Sequence, residues 1–263
     1  MKFGVICGKL KIFTDFYSSR HATTYAGGLA YFLFSGFGGF LGLVLFVLKR
    51  FGSDEEILKS VMNFFYLSGA EADAAFGEAV QKSGTVLPVV FGLYSGGHFY
   101  FHLIRAGENI YGVTRKQNLV NRIFSFLYLF LVQAIFILAL FLDAFGTKIA
   151  EFLGFKEFVK ELLNLSVGLV LNILIAFMLQ VFASPSGQKN VDCVRWGAAL
   201  TVAYWAIVRL VFYLYKSFFS GGGAFTFSSV CAFLLYVYFM MRGLLFGIAY
   251  NAFRAGGVKT VRL

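Results

Sequence analysis

Long runs of apolar residues, separated by shorter polar stretches, organise most of this chain. A helix that crosses the hydrocarbon core of a membrane needs about 20 mainly apolar residues. The sequence predicts six such spans, at 25–48, 86–104, 123–142, 165–183, 196–215 and 229–251. The predicted fold class is therefore an all-α integral membrane protein, with six transmembrane helices forming a single transmembrane domain over residues 1–263.

Two of the polar stretches carry patterns typical of amphipathic helices. Ser53 and Glu56 have the spacing of a capping box, in which each side chain satisfies a backbone N–H at the start of a helix. Apolar residues then recur on one face, and a second short helix is predicted over Glu71–Val80, so helices are predicted across the 53–84 loop. The 143–164 loop repeats the pattern. Such helices lie on the membrane surface or cap a bundle, and the functional alternative is a lid over an outward-facing cavity.

Charge is distributed unequally between the loops. Four alternate segments together carry +10, namely 1–24, 105–122, 184–195 and the residues after Asn251, whereas the three intervening loops carry −2. Cytoplasmic loops of membrane proteins are enriched in Lys and Arg. This split predicts a multi-pass protein with both termini in the cytoplasm.

Composition supports the membrane assignment and excludes several classes. Hydrophobic residues make up 59% of the chain and charged residues 14%, whereas soluble domains carry about 25% charged residues. A cytosolic enzyme, a disordered regulator and a disulfide-built secreted module are therefore excluded. The net charge of +10 is ordinary for a membrane protein with basic cytoplasmic loops, so no nucleic-acid partner is predicted. Cys7, Cys193 and Cys231 lie far apart in the sequence and are predicted to be free thiols.

Pairs of glycines four residues apart indicate where helices approach one another closely. The spacing places both glycines of a pair on one helix face, which permits close backbone contact in lipid. The pairs are Gly38 with Gly42, Gly92 with Gly96, and Gly243 with Gly247. We interpret them as packing positions of the first, second and sixth spans.

Three stretches give the chain a resemblance to the YihY/BrkB family of bacterial inner-membrane proteins. His21–Leu33 resembles the family's "LAYY" opening of the first span, and Leu93–Gly112 resembles its "WSAS…RALNRIYG" segment. The end of the chain, from Trp196–Gly197–Ala198 to Gly247, is similar to its "GA…W…K…Y…LLGAELN" pattern. The resemblance implies the fold and a location in the bacterial inner membrane, but it implies no agreed biochemical activity.

An older label for that family, ribonuclease BN, predicts a chemistry that the sequence does not favour. Metal-dependent nucleases need several carboxylates within a few ångströms. The predicted cytoplasmic loops offer Asp15, Glu108 and Asp192 on three separate segments. The chain also carries no P-loop, GxSxG motif or Cys/His cluster. The protein is predicted not to be an enzyme and to hold no cofactor.

Three arginines lie within or at the end of predicted spans, where no span has an Asp or Glu in its interior. Arg105 ends the second span, Arg209 lies in the middle of the fifth and Arg242 lies in the sixth. The structural interpretation is that their heads snorkel or bond helix carbonyls. The functional interpretation is a cationic site for an anionic headgroup, with Trp205 and Tyr213 flanking Arg209 on one helix face.

A polar stripe on the second span adds a second candidate feature. Tyr94, His98, His102 and Arg105 share one helix face. Two histidines four residues apart can bind a metal, but a zinc site needs three or four ligands, so no metal is predicted. The stripe is interpreted as the polar lining of a cavity or as a proton-responsive pair.

Two functions from different classes fit these features. The first is transport or binding of an anionic lipid or envelope precursor through a cavity lined by the buried arginines, which makes anionic membrane lipids the predicted partners. The second is a non-catalytic membrane scaffold or assembly factor whose basic loops bind lipid headgroups or other proteins.

Overall fold

A computed structural model describes residues 2–51, 86–113, 157–185, 190–219 and 225–256 of the chain. The predicted third span at 123–142, the predicted helices of the 53–84 loop and most of the 143–164 loop lie outside the described residues.

All regular structure in the described ranges is α-helical, which confirms the all-α prediction for them. The helices are α1 (Lys2–Ser19), α2 (Ala22–Phe51), α3 (Val86–Tyr111), α4 (Glu157–Ala183), α5 (Val191–Phe219) and α6 (Phe225–Arg254). Five predicted spans fall within α2 to α6. By length and composition, two segments are able to cross a membrane, Val191–Tyr215 of α5 and Leu234–Arg254 of α6, and Leu169–Ala183 of α4 is a shorter apolar helix. The full six-span topology stays a prediction.

Helix α1 occupies residues that the hydropathy pattern assigns to a polar loop. Over residues 11–19, where its side chains are described, the buried ones are Phe13, Phe16 and Tyr17, which follow the i, i+3, i+4 spacing of one helix face, while Lys11 and Asp15 are exposed. Lysines interrupt the apolar residues of this segment, so a search for continuous apolar runs misses the helix. The face packs on α6, where the ring of Phe13 lies 5.1 Å from that of Phe246.

Two sharp turns end helices in the way their local sequence favours. His21 adopts a positive φ of 53° between α1 and α2. Gly112 has a φ of 68° after α3, and the amide of Val113 donates to the carbonyl of Glu108 at 3.0 Å while that of Gly112 donates to Asn109 at 3.2 Å. This is the Schellman pattern, in which glycine accepts the left-handed conformation without a steric cost.

The chain separates into two compact units. The first contains Met1–Phe32, His98–Arg122 and Ile173–Leu263, and the second contains Leu33–Gly97 and Ile123–Asn172. Within the second unit, Ser95 is buried whereas Val90, Leu169 and Val170 are exposed. The packing, hydrogen bonds and ring contacts described below lie within the first unit.

Helices α5 and α6 form the most extensive helix pair in the described part of the first unit. The contact surface of α6 includes Leu244, Leu245 and Ile248, all fully buried. Gly243 lies against the ring of Tyr204, and Gly247 lies against Thr201 and the backbone of Gly197. This confirms the predicted packing role of the Gly243–Gly247 pair, whereas the surroundings of Gly38, Gly42 and Gly92 lie outside the described residues.

Several chain reversals meet at one end of the first unit. The side-chain amide of Asn109 donates to the carbonyl of Arg20 at 3.1 Å, and the hydroxyl oxygens of Tyr111 and Ser184 lie 3.2 Å apart. Nearby, Asn251 donates to the carbonyl of Val194 at 3.2 Å. These residues belong to, or adjoin, the four basic segments. The predicted topology places those four segments on the same side of the membrane.

The close approach at Gly247 generates a stability prediction. A methyl group there would overlap Thr201, Gln180 and the backbone of Gly197, so Gly247→Ala is expected to lower stability by about 1–3 kcal/mol through overpacking. Gly27→Ala is the matched control, because no atom lies within 4 Å of the added carbon. Thermal unfolding midpoints in detergent measure both. Equal midpoints for the two variants would contradict this account of the α5–α6 contact.

Candidate functional site

A network of uncharged polar side chains is buried where α4, α5 and α6 meet. Gln180 and Thr201 are completely buried, and Asn251 is 2% exposed. Asn251 donates to the side-chain carbonyl of Gln180 at 2.8 Å, and Gln180 donates to the hydroxyl of Thr201 at 2.8 Å. One residue from each helix therefore takes part in a continuous chain of hydrogen bonds.

Backbone groups complete the network. The amide of Gly197 donates to the side-chain oxygen of Asn251 at 2.8 Å, and Thr201 donates to the carbonyl of Gly243 at 3.4 Å. Gln180 also reaches the carbonyl of Leu244 at 3.4 Å. Buried polar groups are costly when they are unpaired, and here each one has a partner within the protein. We therefore interpret the network as a structural element that fixes the register of the three helices, and not as a ligand-binding site.

These residues were not predicted as site residues, because the site prediction was built on charged and aromatic side chains and on histidines within the spans. A signal was present. Gln180 and Asn251 are amides on otherwise apolar stretches, and such side chains hydrogen-bond across helices in membranes. Thr201 has less signal, because its hydroxyl can instead bond its own helix.

The network continues toward the end of α3 through Ser184. The hydroxyl of Ser184 donates to the backbone carbonyl of Gln180 at 2.8 Å and lies beside that of Tyr111. Burial raises the pKa of Tyr111 above its usual value, and the Ser184 hydrogen bond opposes part of that rise. The phenol therefore stays protonated at neutral pH, as this contact requires.

Arg242 lies half-buried on α6, close to a tyrosine of α1. Its guanidinium neighbours the hydroxyl of Tyr17 on α1, and Tyr204 and Tyr238 add their phenols to the surroundings of the same hydroxyl. The Tyr17 hydroxyl is buried. Burial raises the pKa of Tyr17, and the Arg242 charge opposes part of that rise. A cation and a protonated phenol therefore stand side by side.

The other two predicted arginines have different surroundings. Arg209 is half-buried on α5. Arg105 is exposed on α3, and its guanidinium carbon lies 5.2 Å from the centre of the Phe101 ring. All three cations belong to the first unit, on three different helices. Arg242 has a described hydroxyl neighbour from another helix, that of Tyr17 on α1.

The two aromatic residues predicted to flank Arg209 differ in environment. Trp205 is 5% exposed, and its indole N–H donates to the carbonyl of Met240 at 2.8 Å. That donor is therefore already engaged with α6. Tyr213 is 61% exposed, so it faces outward from the described part of the unit.

The histidine stripe packs against an aromatic ring of α2. The Phe32 ring lies nearly parallel to those of His98 and His102, with centroid separations of 5.5 and 4.6 Å. The two imidazoles lie 6.5 Å apart. Among the described residues, no group of three or more His, Cys, Asp or Glu side chains is arranged to hold a metal. Tyr94, the outermost member of the stripe, is exposed.

Comparison with known proteins identifies a family. The model of a family described as "Virulence factor BrkB" matches residues 13–260, which includes every residue of the polar network and all three arginines. No curated protein and no solved structure matches the chain.

The polar network generates a prediction at Asn251. Asn251→Asp keeps the shape and the acceptor for Gly197, but it loses the donor and places a carboxylate against two oxygens, those of Gln180 and Val194. Unpaired buried groups cost about 1–3 kcal/mol each, and more when charged. We expect a lower unfolding midpoint for Asn251→Asp, one that recovers as the pH falls and the new carboxyl is protonated. Asp15→Asn, on the exposed face of α1, is the control, and equal midpoints in the two variants would refute the account.

Proposed function

The chain belongs to the virulence factor BrkB family, and from this premise we propose that it binds an anionic lipid or envelope precursor between its helices and moves it across the bacterial inner membrane. The site is centred on Arg242, with Arg209 as a second cation. The proposed topology is multi-pass with cytoplasmic termini. The protein acts without catalysis and without a cofactor or metal.

One observation carries this proposal, which is the position of Arg242. It lies within Leu234–Arg254, a segment able to cross a membrane by length and composition. A charge near the bilayer centre costs about 2.5–3.5 kcal/mol on insertion scales. Within the described residues, no carboxylate forms an ion pair with it. An anion supplied by the membrane would offset that cost.

Tyr17, the neighbour of Arg242 on α1, indicates which kind of anion the site would bind. Because the Tyr17 phenol stays protonated, its hydroxyl is a donor beside the guanidinium. Arginine presents several N–H donors in a planar fork that matches phosphate oxygens, and charge-assisted hydrogen bonds are the stronger ones. A phosphate group is therefore better matched to this pair than a single carboxylate.

The remaining predicted lining residues would guide the lipid body rather than its charge. Tyr213 is exposed on α5, and His98 and His102 offer half-buried rings on α3. Trp205 would act by packing alone, since its N–H is already bonded. The exposed Arg105 would attract anionic headgroups at the predicted cytoplasmic end of α3.

Binding of an anionic phospholipid tests the proposal. Arg242→Gln keeps hydrogen-bonding capacity but removes the charge, and we expect it to weaken phosphatidylglycerol binding at this site about tenfold in native mass spectrometry. Tyr17→Phe removes one neutral donor and should weaken it by about fivefold. Arg242→Lys should retain part of the binding, as a point charge without the planar fork.

Lys11→Gln is the matched control, because it removes a positive charge from an exposed position of α1. Unfolding midpoints of all variants separate loss of binding from loss of folding. If folded Arg242→Gln retains phosphatidylglycerol as well as Lys11→Gln does, the lipid-binding proposal fails and the scaffold function is favoured.

A further inference from the structure

A second cationic feature lies at the end of the first unit where α5 begins and α6 ends. Trp196 is 49% exposed, and the guanidinium carbons of Arg195 and Arg254 lie 5.9 and 5.7 Å from the centre of its ring. Cations within about 6 Å of an indole face are attracted to it. We call these three side chains the Trp196 cluster.

The cluster lies near the ends of two segments that are able to cross a membrane. The two segments able to span a membrane, Val191–Tyr215 and Leu234–Arg254, have their first and last residues at this end. Trp196 is five residues inside the first of them, about 8 Å along the helix axis. Tryptophan is enriched at the headgroup level of membranes, where one side of the ring is apolar and the N–H is wet.

Among the described residues, the charges of the cluster are incompletely neutralised. Arg195 pairs with Asp192 at 3.1 Å, but both side chains are largely exposed, at 58% and 82%, so the pair is weak. In the part of the chain that the structure describes, no carboxylate contacts Arg254 and no acceptor takes the indole N–H of Trp196. One guanidinium and one N–H donor therefore remain available together.

A third guanidinium increases the positive potential of this end. Arg20 lies over the ring of Phe16 at 5.6 Å, and that ring packs at 5.9 Å on Phe253, the residue before Arg254. The ends of α1, α5 and α6 thus present alternating aromatic rings and cations. This combination suits a ligand with an anionic head and an apolar body.

We propose that the Trp196 cluster is a binding site for the phosphate headgroup of an anionic phospholipid in the adjacent leaflet. Arg254 and the Trp196 N–H donate to the phosphate oxygens, and Arg195 contributes charge as Asp192 is displaced. The indole ring packs against the glycerol and the first acyl carbons. This site is independent of the one at Arg242, since Arg254 follows Arg242 by twelve positions, which separates them by about 18 Å along α6.

Fluorescence of Trp196 provides a direct test, because the chain has only two tryptophans. In a Trp205→Phe background, emission is recorded in nanodiscs of phosphatidylcholine with increasing phosphatidylglycerol. We expect a saturable change that phosphatidylcholine alone does not produce. Arg254→Gln should raise the phosphatidylglycerol fraction at half-saturation about fivefold, Arg254→Lys should raise it less, and Arg242→Gln and Lys11→Gln should leave it unchanged.

Two outcomes would overturn the proposal. One is an Arg254→Gln response equal to that of the parent, and the other is an equal emission change produced by inorganic phosphate in phosphatidylcholine nanodiscs, which would make the ligand a soluble anion. Native mass spectrometry of chains that keep both tryptophans gives a measurement independent of the Trp205→Phe background. There, the parent and Lys11→Gln should each retain phosphatidylglycerol at both sites, whereas Arg254→Gln should lose one of the two bound molecules; equal retention by Arg254→Gln and Lys11→Gln would be a third result against the site.

Discussion

The described core of this protein depends on one constraint, which is that polar groups between apolar helices must find partners within the protein. Gln180, Thr201 and Asn251 meet this constraint by bonding to each other and to backbone groups of α5 and α6. Each bond fixes one helix against another at a defined register. The network is possible because Gly197 and Gly247 let the backbones approach where any side chain would occupy the space of the bonded atoms.

The same register positions the candidate sites at different depths. Once α6 is fixed by Asn251, Arg242 lies about 14 Å away along the helix, near Tyr17 of α1. Arg254 lies on the other side of Asn251, at the last residue of α6, beside Trp196. A shift of one helical turn would separate both arginines from these neighbours. The polar network therefore acts on the proposed binding sites through position, without contacting a ligand itself.

Helix α1 packs on α6 and contributes Tyr17 to the proposed site at Arg242. Its buried face anchors on the aromatic rings of α6, from Phe246 to Phe253, and this contact brings Tyr17 beside Arg242. Its opposite face is exposed and carries Lys11 and Asp15. An amphipathic helix of this kind suits the membrane interface, where it can place one polar group inward while remaining at the surface.

Apolar runs and the scarcity of charge were enough to predict an all-helical membrane protein, because the hydrocarbon core imposes a length and a composition on any segment within it. Local spacing also identified the Gly243–Gly247 contact, since close approach in lipid requires small residues on one face. Helix α1 was not predicted because lysines interrupt its apolar residues, so no continuous apolar run marks it. Only tertiary structure decided which polar residues meet. Gln180 and Asn251 are 71 residues apart, and Tyr17 is far from Arg242 in sequence. A hydropathy pattern shows which faces of a helix are apolar or polar, but it does not show which neighbouring helix each face will contact.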